Sequence, residues 1–408
     1  MKRFAPITML AFLAICGLKA HAETHLIEPG PNAQDALQEA LILAESGDII
    51  ELSAGTYPIL DALSLDIDGI TIRGAGMYET KLEFKDQLNG AEGLLITSNK
   101  VTVEDLAVLN TKGDGIKSKG VDEITFRRVR VEWTNGPDEA NWAYGLYPVE
   151  SKNVLIEGAV VKGASDAGIY VGQSQNIIVR DSSAEYNVAG IEIENSFYAD
   201  VYNNTAMHNT GGILIFDLPN LPQQGGHSVR VFNNRILSND TANFAPEGNI
   251  VGMVARGTGI MIMANRNVHV FNNEIGDNAT VNTLIVTYPN EFDDAHYNPH
   301  PRGIIIRDNS YGKGGFQPSG EVGAILSDRT GTPVPDIIWD GVVPVTDWLF
   351  GSAVEDRVYV NEAPDTGFAN LRMITHTVLP WSVSVDRNAD DYKGSLREPD
   401  AISLPQDH

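Results

Sequence analysis

Cysteine is almost absent from this 408-residue chain, which contains only Cys16. That residue lies in an N-terminal segment in which Met1-Lys2-Arg3 precedes an apolar run over residues 4–18 and then Ala20-His21-Ala22. Such a segment is removed during export, so we predict a signal peptide over residues 1–22 and a periplasmic or secreted mature protein. Without Cys16, the mature chain cannot use disulfide bonds, thiol catalysis or cysteine-bound metals.

Positive charge is also scarce, with 29 Lys and Arg against 54 Asp and Glu. Cleavage after Ala22 would remove Lys2, Arg3 and Lys19, which leaves 26 basic residues and a net charge of −28. A field of that sign repels nucleic acid and anionic membrane surfaces. No apolar run beyond the signal approaches the length of a membrane-spanning helix, so we predict neither a nucleic-acid partner nor a membrane span.

Helical periodicity is rare as well. It is clear over residues 32–45, where Ala36, Leu37, Ala40 and Leu41 form an apolar stripe. Elsewhere the segments are short, alternate apolar with polar residues, and end at Gly, Asn, Asp or Ser, which is typical of strands and turns. We therefore predict an all-β protein with one N-terminal capping helix.

A repeat of about 22 residues organises these strands. Most intervals between successive copies are 22 or 23 residues, and the longer ones accommodate inserted loops. Stacked repeats of this kind share one continuous core. The sequence thus predicts a right-handed parallel β-helix over residues 23–309, with C-terminal coils and an irregular cap of the same domain over residues 310–408. Each copy pairs a glycine with an aliphatic residue: Gly93-Leu94, Gly115-Ile116, Gly145-Leu146, Gly168-Ile169, Gly190-Ile191, Gly212-Ile213, Gly259-Ile260 and Gly303-Ile304.

Asparagine recurs in the same register. Asn187, Asn209, Asn239 and Asn278 each stand eight residues after a Val that opens a common phrase. Amide side chains at one position of successive coils can hydrogen-bond along a stack. We predict that these four residues form a buried ladder.

Two stretches resemble known families. Gly47-Asp48-Ile49-Ile50-Glu51-Leu52 is similar to the opening coils of pectate-lyase-like β-helix proteins. Residues 113–288, with phrases such as Val188-Ala189-Gly190-Ile191-Glu192, resemble a largely uncharacterised family of exported bacterial β-helix repeat proteins that looks to be paired with a secreted c-type cytochrome. The resemblance implies the fold, export and a possible cytochrome partner, but no reaction. The Asp-Pro-His-Asp motif of alginate epimerases is absent from the sequence.

Charged and aromatic residues gather on one predicted sheet face. If the aliphatic residue after each glycine points inward, the residues two and four after that glycine point outward. These outward positions include Lys117, Tyr147, Tyr170 and Glu192 in one row, and Lys119 and Glu194 in the next. Asp166, Asp217 and Trp142 lie in adjoining turns.

Several interpretations of this face remain open. A carbohydrate groove would use Lys119, Asp166, Tyr170, Asp217 and Trp142 to bind sugar, with Lys117 and Lys119 meeting a uronate carboxylate. A solvated face would merely pair charges between coils. In a lyase acting on an acidic polysaccharide, Lys117 or Tyr147, with a lowered pKa, would be the base. In a glycosidase, Glu192 and Glu194 would be the two carboxyl groups. No cofactor or metal motif is identified, although Ca²⁺ in acidic turns is left open. The alternative is a non-catalytic periplasmic scaffold or binding protein with a partner such as the cytochrome.

Overall fold

The computed structural model describes residues 22–379, 381 and 384–405. Over these residues the chain forms a right-handed parallel β-helix, which confirms the predicted fold class. Of the predicted signal peptide only Ala22 is described, so export stays a prediction. Within the described part of the chain, no helix is both long and apolar enough to cross a membrane.

Thirty-one strands build the coils, and almost all are three to six residues long. In chain order they are β1 (Thr24–Ile27), β2 (Ile49–Leu52), β3 (Gly55–Pro58), β4 (Asp61–Leu65), β5 (Thr71–Arg73), β6 (Thr80–Glu83), β7 (Asn89–Ile96), β8 (Val101–Leu109), β9 (Asp114–Lys119), β10 (Asp122–Glu132), β11 (Tyr144–Val149), β12 (Lys152–Glu157), β13 (Val160–Lys162), β14 (Ala167–Gly172), β15 (Gln175–Arg180), β16 (Ser183–Glu185), β17 (Ala189–Glu194), β18 (Phe197–Tyr202), β19 (Thr205–Met207), β20 (Gly211–Phe216), β21 (His227–Phe232), β22 (Arg235–Leu237), β23 (Thr258–Met263), β24 (Arg266–Phe271), β25 (Glu274–Gly276), β26 (Val281–Val286), β27 (Arg302–Arg307), β28 (Ser310–Tyr311), β29 (Ile337–Trp339), β30 (Val358–Asn361) and β31 (Phe368–Asn370).

The strands form two parallel sheets. The first contains 20 strands, which form two adjacent strips. The long strands β8 and β10 join the strips, because each of them pairs with strands of both. The second contains 11 strands in the order β4-β7-β9-β11-β14-β17-β20-β23-β26-β29-β31. Strands on both sides of residue 309 belong to each sheet, so the stack continues into the C-terminal region.

The core is a set of aliphatic rows that run along the axis. In the second sheet Ile169, Ile191, Ile213 and Ile260 are partners on successive strands, and all four are fully buried. Full burial of one such side chain contributes about 2 kcal/mol to folding. The repeated Gly-aliphatic pairs therefore lie in the second sheet, except for Gly303-Ile304. The prediction that Gly303-Ile304 continues this series is wrong, because Ile304 pairs with Val268 in the first sheet.

Two asparagine ladders close the turns. In the first, Asn187 donates to Asn209 at 3.0 Å, Asn209 to Asn239 at 3.1 Å, and Asn239 to Asn278 at 3.1 Å, which confirms the predicted ladder. The second ladder contains Asn204, Asn234, Asn273 and Asn309 and ends on the carboxylate of Glu362.

Helices pack against the first coils and against the outer face of the second sheet. Helix α1 (Ala33–Leu43) is the predicted N-terminal cap, and it buries Leu37 and Leu41 against the first coils. Three further helices, which the repeat pattern did not predict, lie in the irregular C-terminal region: α2 (Gly320–Thr330), α3 (Val345–Phe350) and α4 (Met373–Val378). Short 3₁₀ turns occupy Ile250–Met253, Val354–Asp356 and Ala389–Tyr392.

Candidate functional site

The outer face of the second sheet brings the predicted residues together. Tyr147 pairs with Lys117, and Tyr170 pairs with Glu192, in the register that the repeat predicted. Two residues further along these strands, Glu194 pairs with Gly172. These side chains alternate with the core isoleucines and therefore point away from the coil interior.

This face is covered rather than solvated. Residues 238–257 and 287–301, which are inserted after β22 and β26, pack on it together with α2. Their apolar side chains form a second core outside the coils, and Tyr170, Glu192 and Glu194 are buried beneath it. The interpretation of Glu192 and Glu194 as solvated charges is therefore wrong. The second core includes Leu214, Phe216, Val251, Val254, Met261, Met263, Leu284, Tyr297 and Leu326.

Three tyrosines form a compact cluster on the face. The ring centroid of Tyr144 lies 4.4 Å from that of Tyr147 and 4.6 Å from that of Tyr170, while Tyr147 and Tyr170 are 5.1 Å apart. Burial, with the nearby Asp114 carboxylate, raises the pKa of Tyr147 to about 12. Burial also raises the pKa values of Tyr144 and Tyr170. The expected lowering of the Tyr147 pKa is therefore wrong, because desolvation opposes the phenolate.

Glu192 and Glu194 are buried on the same face of β17, and each carboxyl group affects the pKa of the other. Glu194 accepts a 2.6 Å hydrogen bond from the Tyr170 hydroxyl. No donor from the described residues reaches Glu192 Oε2, which is buried. Two adjacent carboxyl groups in such surroundings must retain a proton between them. Accordingly, burial and the neighbouring acids Asp166 and Glu194 raise the pKa of Glu192, and burial raises that of Glu194 to about 7.

Asp166 adds a third carboxyl group at the turn before β14. Its Oδ2 atom accepts hydrogen bonds from Tyr144 at 3.4 Å and from Asn249 at 3.3 Å. Burial, reinforced by the charge of Glu194, raises its pKa to about 7. Asn249 reaches it from the inserted loop, so the insertion contributes directly to the site.

Asp217 lies where β20 ends. Its carboxylate accepts backbone hydrogen bonds from Gly226 at 2.8 Å and Gly225 at 3.2 Å, and burial raises its pKa to about 6. The Tyr297 hydroxyl donates a 2.5 Å hydrogen bond to the Asp217 carbonyl. Asp217 therefore stabilises the turn that follows β20, and residues 287–301 are anchored beside it.

The two predicted lysines are both paired with carboxylates. Lys117 Nζ lies 3.2 Å from Glu92 and 3.9 Å from Asp114, and 4.9 Å from the centroid of the Tyr147 ring. Lys119 is exposed and lies 3.6 Å from Glu150. This pairing opposes their predicted role in holding a uronate carboxylate.

The remaining predicted residue, Trp142, is 44% exposed at the edge of the face, in the turn before β11. Four further contributors were not among the predicted site residues. Asp114 and Tyr144 begin β9 and β11, three positions before Lys117 and Tyr147, so a period of two assigns them to the opposite face and could not have revealed them. Asn249 and Tyr297 lie in the insertions, where no repeat signals their position.

No group of three or more His, Asp or Glu side chains among the described residues is arranged to hold a metal ion. Neutral oxygen ligands such as backbone carbonyls can also bind Ca²⁺. A requirement for Ca²⁺ therefore stays a prediction.

Comparisons with solved structures support the architecture. The chain is similar to the mannuronan C-5 epimerase AlgE4 A-module of Azotobacter vinelandii, with 14% identity, a TM-score of 0.56, and coverage of 83% of this chain and 94% of the module. It is also similar to DFA-IIIase from Arthrobacter chlorophenolicus, with 11% identity, a TM-score of 0.54, and coverage of 84% and 100%. At these identities the similarity establishes the fold alone.

Sequence comparison gives a family but no functionally characterised relative. No curated protein matches the chain, and nothing supports the predicted pairing with a cytochrome. The model of the right-handed beta helix region matches residues 66–222 and 114–316, which together span more than half of the chain. The protein therefore belongs to the right-handed beta helix family.

Proposed function

We propose that the protein is a carbohydrate-active β-helix protein that cleaves a glycosidic bond by acid–base chemistry at the Glu192–Glu194 pair. The observation that carries this proposal is the burial of two neighbouring carboxyl groups, those of Glu192 and Glu194, beside a tyrosine cluster. Such a pair supplies an acid and a base at the same pH. The protonated carboxyl would donate to the departing glycosidic oxygen, and an ionised carboxylate would accept a proton from the attacking water.

Asp166 is the second acid–base candidate. Asp166 has a raised pKa and its own donors, so it could take the role opposite the pair.

Aromatic rings at the rim favour sugar as the ligand. Tyr144 and Tyr147 are partly exposed and Trp142 more so, and each offers a face on which a sugar ring can stack. The fold is shared with an enzyme whose name gives mannuronan as its substrate. These features support a polysaccharide or oligosaccharide substrate that enters from the Trp142 side.

The first experiment is a product screen with the purified protein on neutral and uronate-containing polysaccharides, with and without Ca²⁺. New reducing ends and unsaturated ends are followed in parallel. We expect new reducing ends without unsaturation for wild type, and loss of turnover for Glu192→Gln. Glu274→Gln is the matched control, because Glu274 is exposed on the first sheet.

Two outcomes would change the proposal. Unsaturated ends that vanish in Lys117→Ala or Tyr147→Ala would establish β-elimination and restore the predicted lyase. Failure to form product from any substrate, or unchanged turnover in Glu192→Gln, would reject acid–base cleavage at this pair.

A non-catalytic binding or scaffold protein is the second candidate. The observation in its favour is that Glu192 is only 1% exposed, which suits a structural second core as well as a reaction site. Stable binding of an oligosaccharide that is never consumed would identify this function.

A further inference from the structure

Three basic residues lie on successive rungs at the corner between the two sheets. His227, Arg266 and Arg302 are the first residues of β21, β24 and β27, and they pair directly in the parallel register. Adjacent rungs are about 4.8 Å apart. The register thus aligns two arginines and a histidine along the axis.

Within the part of the chain that the structure describes, neither arginine has a carboxylate partner. Among the described residues Arg266 and Arg302 form no ion pair, although most other arginines of the coils do, as Arg127, Arg180 and Arg230 illustrate. The chain carries a net charge of −25, so acidic residues are abundant. Asp217 and Asp356 are close enough to Arg302 to affect its pKa, but neither forms an ion pair with it in the described part of the chain. Like charges on adjacent rungs oppose each other, and an anion bound between them would relieve that repulsion.

The surroundings of this corner are partly desolvated. Arg302 is half-buried and donates a 3.2 Å hydrogen bond to the His300 carbonyl, while His300 Nδ1 is buried without a partner among the described residues. His227 stacks on Phe197 with ring centroids 4.6 Å apart. Burial, followed by the charge of Arg266, lowers the pKa of Arg302, and burial with both arginines lowers that of His227 to about 4.

The corner adjoins the carboxyl site. Asp217 is close enough to Arg302 for each charge to affect the pKa of the other, and Asp217 similarly affects Glu194. The turn that contains Asp217 leads through Gly225 and Gly226 to His227. A sugar that reaches the Asp217 end of the carboxyl site would therefore lie next to the arginines.

We propose that Arg266 and Arg302 form an anion-binding subsite for the carboxylate or sulfate group of an acidic oligosaccharide bound at this corner, beside the carboxyl site. Guanidinium groups recognise such planar or tetrahedral oxyanions by paired hydrogen bonds. The assignment to an oligosaccharide rests on the proposed function. The subsite replaces Lys117 and Lys119 as the element that would select an acidic substrate.

The test is calorimetric titration of the full-length protein with an oligogalacturonate, a sulfated oligosaccharide and a neutral cello-oligosaccharide of equal length. We expect wild type to bind at least one anionic ligand about tenfold or more tightly than the neutral one. Arg266→Gln and the Arg266→Gln/Arg302→Gln double variant should lose this preference, while Arg302→Lys should retain part of it. Comparison of the two anionic ligands distinguishes carboxylate from sulfate.

Arg235→Gln is the matched control, because it removes one positive charge at an exposed ion pair of the first sheet. If Arg235→Gln loses the preference for anionic ligands as fully as Arg266→Gln does, the preference is an effect of net charge, and the proposed subsite is overturned. Absence of any preference in wild type, or its persistence in the double variant, would also overturn it. If no substrate is cleaved but the preference depends on both arginines, the subsite stands and only acid–base cleavage fails.

Discussion

The carboxyl pair makes the site sensitive to single hydrogen bonds. Burial and the Asp217 carboxylate oppose the charge of Glu194, whereas the Tyr170 hydroxyl donates a hydrogen bond that stabilises it. Removal of one neighbour therefore shifts the balance between the protonated and ionised forms.

Replacement of Tyr170 by Phe removes the hydroxyl that lowers the pKa of Glu194. We expect that pKa to rise above about 7, so that the acidic limb of the pH–rate profile moves to higher pH. The profile of kcat/KM on the substrate found in the screen measures the shift. Tyr202→Phe, on the outer face of the first sheet, should leave the limb in place. An unmoved limb in Tyr170→Phe would contradict a role for ionised Glu194.

Replacement of Lys119 by Ala should change little. Lys119 is exposed, and an exposed ion pair such as that with Glu150 contributes about 0 to 1 kcal/mol. We expect kcat/KM to stay within about twofold of wild type, with a similarly small change in the urea unfolding midpoint. A loss of tenfold or more in activity would restore Lys119 as a substrate-binding residue.

For single residues, the sequence pattern predicted which way a side chain points better than it predicted what surrounds that side chain. The alternation in β17 places Glu192 and Glu194 on the outer face, as observed. It does not predict that residues 238–257 and 287–301 cover that face, because inserted loops have no period. The direction of the pKa shifts depends on that cover, so the prediction for Tyr147 failed while its position was right.

Among the structural elements, the asparagine ladders place the strictest requirements on hydrogen bonding. Asn209 accepts hydrogen bonds from the backbone and side chain of Asn187 and donates to Asn239 and to the Ala184 carbonyl. All of these groups are buried, so each needs a partner within the coil.

Replacement of Asn209 by Ala should leave several of these groups unpaired. We expect a loss of about 2 to 3 kcal/mol in the free energy of unfolding, measured by urea denaturation. Asn388→Ala, at an exposed position outside the coils, is the matched control. A loss below about 0.5 kcal/mol in Asn209→Ala would mean that water replaces the ladder at that turn.

This ladder could be predicted because it follows the repeat, whereas α2, α3 and α4 could not. The C-terminal helices occur once each and obey no repeat, and α2 has only Gly323 and Leu326 buried. Their positions depend on packing against the outer face, which no local pattern encodes.

Over the whole molecule, buried acids dominate the response to pH. Burial raises the pKa of Glu362 to about 7 and that of Asp340 to about 6, in addition to the site carboxyl groups. A raised pKa favours the folded state at low pH, and this contribution is lost as pH rises through the folded value. The pKa of Asp48 is instead lowered to about 2, chiefly by its hydrogen bond with His25, so its contribution is lost only in strong acid.

We therefore expect the urea midpoint to be highest near about pH 4 to 5 and to fall as pH rises to about 8. Glu194→Gln should flatten this decline, because it removes one group that ionises in the folded state at about 7. A midpoint that increases steadily from pH 5 to pH 8 would contradict the raised pKa values.

The segment that contains Glu398, Ile402 and Leu404 crosses the outer face of the first sheet. Glu398 bridges Arg230 and Arg307, and the Ile402 amide donates to Asp200, 202 residues earlier in the chain. Each coil can add to the preceding coil as it emerges, but this segment has no surface to meet until the middle coils exist. Its docking must therefore be a late folding event, which fastens together coils that would otherwise contact only their immediate neighbours.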